Sequence, residues 1–198
     1  MTSATATRVQ PGRPRDPRID TDVLRAVVEL LPRTGYQRLT VGAVAARART
    51  TRPSVYRRWP TKAQLVHEAV FPVVDRPLVP DGVDLVADLR QMVAGSAELF
   101  SRPEVRAAVP GLLAEFARDP VTHAELQRRV AVPAWAGLRA RIERAVASGQ
   151  ARPDVEPDVL LDVVGGATLM ALALRPGRPL DDRWIDDVVD LVTKGLLP

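Results

Sequence analysis

Two threonines, Thr40 and Thr51, divide residues 40–59 into two short helical segments with almost no chain between them. Each can act as an N-cap, because a threonine side-chain oxygen accepts a backbone N–H of the first helical turn. Pro53 falls in the first turn of the second segment, where a missing N–H is tolerated. The pattern predicts two short helices over a tight turn, with Ala45 and Ala48 as the small side chains that such a crossing needs.

A helix pair of this kind is a helix-turn-helix, whose second helix can enter the major groove of DNA. We expect Arg52, Ser54 and Arg57 to contact bases from the first turns of that helix. Phosphate contacts are expected from Tyr56, Arg58 and Lys62, and the two capping threonines, Thr40 and Thr51, are counted with the DNA contacts. The spacing alone also fits an ordinary αα-hairpin whose arginines serve solubility.

Positive charge is concentrated in the first third of the chain. Residues 1–70 hold 13 Lys and Arg against 5 Asp and Glu, whereas residues 71–198 hold 15 against 19. Clustered cations favour a polyanionic partner, because binding releases the counterions condensed on phosphates. The charge taken alone fits a solvated basic face equally well, so the motif has to decide between the two interpretations.

Helical spacing continues on both sides of the motif, and no segment shows the alternation of a strand. We therefore predict an all-α fold in three parts: a flexible basic arm at 1–18, a DNA-binding domain at 19–70 and a helical body at 71–198. Capping boxes should open two further helices, at Thr61 to Gln64 and at Ser101 to Glu104.

The first helix is expected to begin at Ile19 and to end at Gly35, which suits a left-handed C-cap. Pro32 lies inside this stretch. Because proline lacks a backbone N–H and clashes with the preceding turn, we expect the helix to kink in its last turn or to stop at Leu31.

The segment from Ile19 to Val70 resembles the tetracycline-repressor (TetR) family of one-component regulators. The resemblance rests on these residues: Gly35-Tyr36, Leu39-Thr40-Val41, Val44-Ala45, Ala48, Thr51, Ser54-Val55-Tyr56, Trp59, Lys62 and Leu65. The chain departs from the family pattern in the turn, where Arg49 and Thr50 replace a glycine and an apolar residue. If the turn needs a positive φ, Arg49 is strained there.

The resemblance implies that the later helices bind a small-molecule effector and that the last two form a four-helix dimer interface. Small and apolar side chains support this locally, and the expected interface residues are Gly165, Gly166, Ala167, Ala171, Trp184, Ile185, Val188, Val189 and Val192. The same apolar side chains would also be buried if the last two helices packed together within the core of a single chain.

Candidates for the lining of an apolar effector pocket are Met92, Phe100, Leu112, Phe116, Trp135 and Met170. Such residues at helical spacing are more often core than pocket. In the N-terminal arm, Arg13 and Arg15 flank a Gly-Pro pair as in a minor-groove hook, although a solvated arm with nonspecific phosphate attraction is the equal alternative.

The residues that several classes of function require are absent from the sequence. The chain has no Cys and two His, so a thiolate nucleophile and a Cys-ligated metal are excluded, and we expect neither a metal nor a cofactor. Enzyme activity is not expected, because no Ser–His–acid set and no phosphate-cradling glycine loop is found.

The uncharged stretch Val163 to Leu174 is short for a membrane span, and no apolar leader opens the chain. We therefore expect a cytoplasmic protein without a membrane partner. The leading hypothesis is a ligand-responsive repressor that binds a palindromic operator in double-stranded DNA as a homodimer. The alternative is an architectural DNA-binding protein without an effector.

Overall fold

The computed structural model describes residues 17–71, 82–119, 124, 132–175 and 179–196, with the side chains of 132–136 and 196 left out. Within these ranges the chain is helical and contains no strand. The helices are α1 (Pro17–Arg38), α2 (Val41–Arg47), α3 (Arg52–Tyr56), α4 (Lys62–Val70), α5 (Leu85–Ser101), α6 (Pro103–Arg118), α7 (Val132–Ala147), α8 (Pro157–Leu174) and α9 (Asp182–Leu196). The all-α fold predicted from the sequence is confirmed.

Two hydrophobic cores organise these helices. The first joins α1 to α4, which we call the head, to α6, whose Val105, Ala108 and Leu112 are buried with Val27 and Leu31 of α1. The second joins α5, α7, α8 and α9, and we call α5 to α9 the body. The packing therefore does not follow the boundary expected at residue 70, because α6 shares the core of the head.

Helix α1 differs from the prediction at both ends. It begins at Pro17 rather than Ile19, so the last two residues of the predicted arm are helical. It continues through Pro32, and helical geometry is lost only at Gly35, with φ 69° and ψ 167°. Residues that carry a Cβ rarely adopt this backbone conformation, whereas glycine adopts it readily. The expected stop at Leu31 is wrong. Gly35 interrupts the helix at the expected position but does not end it, because α1 continues to Arg38.

The caps of the head agree with the sequence. The hydroxyl of Thr40 accepts the N–H of Ala43 at 3.1 Å, and that of Thr51 accepts the N–H of Ser54 at 3.3 Å. Thr61 and Gln64 form the full capping box. Local hydrogen bonds of this kind depend on residues three apart, which is why the sequence reveals them.

The capping box expected at Ser101 is wrong. Ser101 is the last residue of α5, and the N-cap of α6 is Arg102, which makes no side-chain capping hydrogen bond. Pro103 still occupies the first turn of α6, where its missing N–H is tolerated.

An ion pair lies inside the body. Arg141 of α7 donates from Nε to Asp88 of α5 at 2.6 Å, and both side chains are 4% exposed. Asp88 also accepts the N–H of Gly82. Charged groups this far from water need such partners, because an isolated charge in an apolar interior is strongly disfavoured.

Among the described helices, α8 has the length and apolar composition of a membrane span, with a mean hydropathy of 1.6 over 18 residues. A helix packed in the core of a globular protein can have the same length and composition, so this finding does not overturn the expectation of a protein without a membrane partner. The helix also carries Asp158 and Asp162, and it packs against α5, α7 and α9.

Candidate nucleic-acid interface

The turn between α2 and α3 has the strained geometry expected from its sequence. Arg49 adopts φ 52°, and the N–H of Thr50 returns to the carbonyl of Ala45 at 2.9 Å. A non-glycine residue in this region is disfavoured by about 1 to 2 kcal/mol. The turn keeps the two-helix geometry despite the departures at both positions.

Helix α3 is packed against the head core, and exposed side chains lie on it and directly after it. Val55 is fully buried and Trp59 is 4% exposed, so the helix is anchored in the head core. Arg52 and Tyr56 of α3, and Arg57 directly after it, are exposed. Three side chains expected to contact DNA are therefore presented together to solvent on one short rigid element.

The guanidinium of Arg52 lies against the start of α2. It occupies the space that a Cβ on Gly42 would fill. The Arg52 side chain is thus directed along the junction of α2 and α3 rather than standing free of the surface. The sequence carried one signal for this contact, since a glycine within a helical pattern weakens the helix and therefore calls for a structural reason.

Arg58 is placed differently from the expected phosphate contact. Its side chain is 3% exposed and pairs with Asp20 of α1. Its Nη1 also donates to the hydroxyl of Ser54 at 2.9 Å and to the carbonyl of Ser54 at 3.1 Å. In this structure Arg58 joins α3 to α1 from inside, and the expectation of a surface cation is corrected. Ser54 is half-buried and shares its hydroxyl with this network.

Lys62 also takes part in the fold. Its Nζ donates to the carbonyl of Tyr36 at 3.1 Å and lies 4.2 Å from the centroid of the Tyr36 ring. Burial lowers the pKa of Lys62, and the carboxylate of Glu115 opposes that shift. The side chain remains half-buried. Its ammonium therefore contacts the end of α1 and is still accessible to a phosphate that approaches the start of α4.

Tyr36 connects the head to α6. Its side chain packs against Gly111, where a Cβ would collide with it. Burial raises the pKa of Tyr36 to about 12, Glu115 adds to the rise, and Arg118 opposes it. A small cavity of about 150 Å³ lies beside this contact, lined by Tyr36, Thr61, Lys62, Ala63, Glu115 and Asp119. Gly111, like Gly42, was missed from the sequence.

The structure separates the expected pocket residues. Phe100, Leu112 and Phe116 pack on the first core, whereas Met92 packs on the second. Met170 is 54% exposed on the outside of α8, which corrects its assignment to a pocket. The side chain of Trp135 lies outside the described residues, as do Arg13 and Arg15 of the arm.

The expected interface residues also divide into two groups. Ala171, Trp184, Ile185 and Val189 are buried in the chain's own second core, as the intramolecular alternative predicted. Ala167, Val188 and Val192 are partly buried against that core, and Gly165 and Gly166 have open space where a Cβ would be. These residues therefore offer less free surface than expected.

A different set of apolar side chains is exposed on the last two helices. Five of them are between 47% and 72% exposed: Val159, Val163, Met170 and Leu174 of α8, and Leu191 of α9. On α8 they recur at helical spacing along one side. We call this set the outer apolar face. Its spacing was visible in the sequence, but its exposure was not.

Comparison with known proteins agrees with this architecture. The family model for bacterial regulatory proteins of the tetR family matches residues 23–69, and the model for the tetracyclin repressor-like C-terminal domain matches 79–192. An HTH-type transcriptional regulator of Mycobacterium tuberculosis is 32% identical over 184 residues, 90% of this chain and 89% of that protein. The DNA-binding transcriptional repressor TetR of Mycobacteroides abscessus is 30% identical over 170 residues, 85% and 88% of the two chains.

Among solved structures, the TetR family transcription regulator SCO0332 superposes with a TM-score of 0.68 at 29% identity. The match covers 91% of this chain and all of that one. The two family models together span the head and most of the body, in the order in which the structure places them. The chain belongs to the TetR family of helix-turn-helix transcriptional regulators.

Proposed function

We propose that this regulator is a repressor that binds a palindromic operator as a homodimer and is released by an apolar small molecule. The observation that carries the proposal is the outward surface of α3, where Arg52, Tyr56 and Arg57 are exposed on a helix anchored by Val55 and Trp59. A rigid helix that projects hydrogen-bond donors is what direct reading of the major groove requires. Its cytoplasmic location follows from this role.

The outer apolar face supports the homodimer. Contiguous exposed apolar side chains on a protein surface mark interaction sites, and a symmetric pair buries the same face from both copies. Two heads related by a two-fold axis would bind two half-sites in opposite orientation. A palindromic operator is therefore expected.

The contacts of α6 support an effector response. This helix shares its core with the head and supports Tyr36, whose carbonyl and ring hold Lys62 at the start of α4. His67 of α4 contacts the ring of Phe116, and Phe71 directly after α4 contacts the ring of Phe100. A shift of α5 or α6 around a ligand would therefore move α4 and, with it, the head.

Selection of binding sites from a random duplex pool tests the DNA-binding proposal. A palindromic consensus is expected. Arg57→Ala should weaken binding to the selected duplex by about 1 to 3 kcal/mol and relax preference at one position per half-site, with little change on random DNA. Equal losses on selected and random duplexes would contradict specific reading and favour the architectural alternative.

Lys62→Ala is the companion variant for phosphate contact. It should weaken selected and random duplexes alike and reduce the slope of log affinity against log salt by about one unit per lost contact. An unchanged salt slope would restrict Lys62 to its contacts with Tyr36. Its melting temperature must be measured beside wild type, because the same lysine holds α1 against α4.

Light scattering tests the homodimer, with twice 21.6 kDa as the expected mass. Val163→Asp, on the outer apolar face, should give a monomer, since a charge buried without a partner is strongly disfavoured. Val83→Asp is the matched control, because Val83 is 91% exposed and precedes α5 instead of belonging to α8 or α9. A wild-type monomer that still binds the palindrome tightly would contradict the interface.

A hydrophobic compound library tests the effector. A ligand should raise the melting temperature of the protein and release it from the selected duplex. Compounds that do neither, across a broad library, would favour a regulator without a small-molecule effector.

A further inference from the structure

Gly42 stands at a position where glycine weakens the helix. It is the second residue of α2, a helix of seven residues, and glycine in a helix is less favourable than alanine. Its backbone is covered by one side chain of the next helix. A Cβ on Gly42 would lie 2.5 Å from Nη2, 2.7 Å from Nε and 2.9 Å from Cζ of Arg52. Glycine is therefore the residue that admits this guanidinium.

Arg52 is the first residue of α3 and is exposed. It makes no hydrogen bond or ion pair within the part of the chain that the structure describes, in contrast to Arg58, which is paired with Asp20. The contact with the Gly42 backbone limits the conformations of the Arg52 side chain without occupying its N–H donors. A side chain held in this way loses less conformational entropy when it binds.

We propose that Gly42 is a positioning residue for DNA binding: the absence of its Cβ lets the Arg52 guanidinium rest on α2 in the orientation that contacts the operator. This inference rests on the proposed function, since it assumes that Arg52 contacts DNA. It assigns a role in recognition to a residue on the helix that precedes the recognition helix.

The variant Gly42→Ala separates positioning from stability. The added methyl group must displace Arg52, but the atoms it meets are the far end of a flexible side chain, so the fold can accommodate it. Alanine also favours the helix. The melting temperature should therefore stay level or rise, while affinity for the duplex selected by the wild-type protein falls by about 5- to 150-fold per half-site, the range expected for losing one specific arginine contact.

A double-mutant cycle makes the test specific. Arg52→Ala should lower affinity for the same duplex within the same range, and adding Gly42→Ala to it should cause no further loss, because the two changes act through one side chain. Gly95→Ala is the control. It adds the same methyl group to a helical glycine of α5 where nothing lies within 4 Å, and it should leave DNA binding unchanged.

Three results would overturn the inference. Gly42→Ala could bind the selected duplex as tightly as wild type while Arg52→Ala binds weakly, in which case the inference alone fails. The two losses could multiply in the double variant, which would make them independent. If Arg52→Ala binds as wild type, both the inference and the assignment of Arg52 to the operator are wrong.

Discussion

The α3 surface of the head and the surface of the body use their charged side chains in different ways. On the surface of the body, Arg90 pairs with Asp182 and Asp186, and Arg139 pairs with Asp158. In the head, Arg52 of α3 and Arg57 directly after α3 are exposed, and neither makes such a pair within the described residues. Cations without acidic neighbours remain available to phosphates and bases, whereas paired cations are already neutralised.

The two regions also share a feature, because each buries one charged side chain that is close in sequence to an exposed one. Arg58 of the head is buried and the adjacent Arg57 is exposed. In α5 of the body, Asp88 is buried against Arg141, while Arg90 is at the surface. Direction from the helix axis therefore decides the role of each charge, and residue type does not.

The largest effect is expected from the buried pair of the body. Asp88→Ala removes the partner of Arg141 and should lower the free energy of unfolding by about 3 to 5 kcal/mol. Arg90→Ala, two residues along the same helix, should leave the denaturation midpoint close to wild type, because its ion pairs are exposed. Chemical denaturation of the three proteins measures this. Equal midpoints for the two variants would remove the distinction between buried and surface charge.

A smaller loss is expected in the head. Arg58→Met keeps the apolar part of the side chain but removes the guanidinium that pairs with Asp20. It should destabilise the protein by about 2 kcal/mol, less than the body variant because Asp20 is partly exposed. The salt dependence of DNA binding should not change. Arg57→Met is the control and should show the opposite pattern, with stability kept and operator affinity lost. A reduced slope of log affinity against log salt for Arg58→Met would mean that Arg58 contacts DNA phosphates after all.

The turn of the head offers a gain in stability. Arg49→Gly should raise the free energy of unfolding by about 0.5 to 1 kcal/mol, because glycine adopts a positive φ without strain, although its unfolded chain is more flexible. Gly35→Ala is the reverse control, since Gly35 has φ 69°, and it should destabilise. Thermal unfolding measures both. A lower melting temperature for Arg49→Gly would mean that the arginine side chain, rather than its backbone, stabilises the turn.

The smallest effect is a pH dependence at the junction of the two regions. Burial lowers the pKa of His67 from its usual value near 6.5. The folded state thus binds this proton less readily than the unfolded state, so the stability due to neutral His67 is present above about pH 6.5 and is lost as the pH falls below it. The melting temperature of His67→Gln should therefore fall less than that of wild type between about pH 7 and pH 5.5. Parallel curves would contradict the shift.

The sequence was most informative where a structural role depends on residues close together in the chain. The threonine caps at Thr40, Thr51 and Thr61, the break at Gly35 and the strained φ of Arg49 were all anticipated and are present. Each follows from hydrogen bonds or backbone sterics within three or four residues. The false capping box at Ser101 shows the limit, because α5 extends through that serine before α6 begins.

The sequence was less informative about which side of a helix would be covered. Trp184 and Met170 were both apolar residues at helical spacing, yet the first is 7% exposed and the second 54% exposed. Hydrophobicity predicts that a face will be covered but does not identify what covers it. Only the packing of α5, α7, α8 and α9 distinguishes the internal core from the outer apolar face.

By itself, then, the sequence determined the helix pair, its caps, its turn and the basic character of the head, since these are set by local geometry and composition. The tertiary structure decided that Arg58 faces inward to Asp20, that Arg52 rests on Gly42 and that Tyr36 packs on Gly111. Each of these contacts joins residues from different helices, and their meeting depends on how those helices cross. A pattern within one helix does not contain that information.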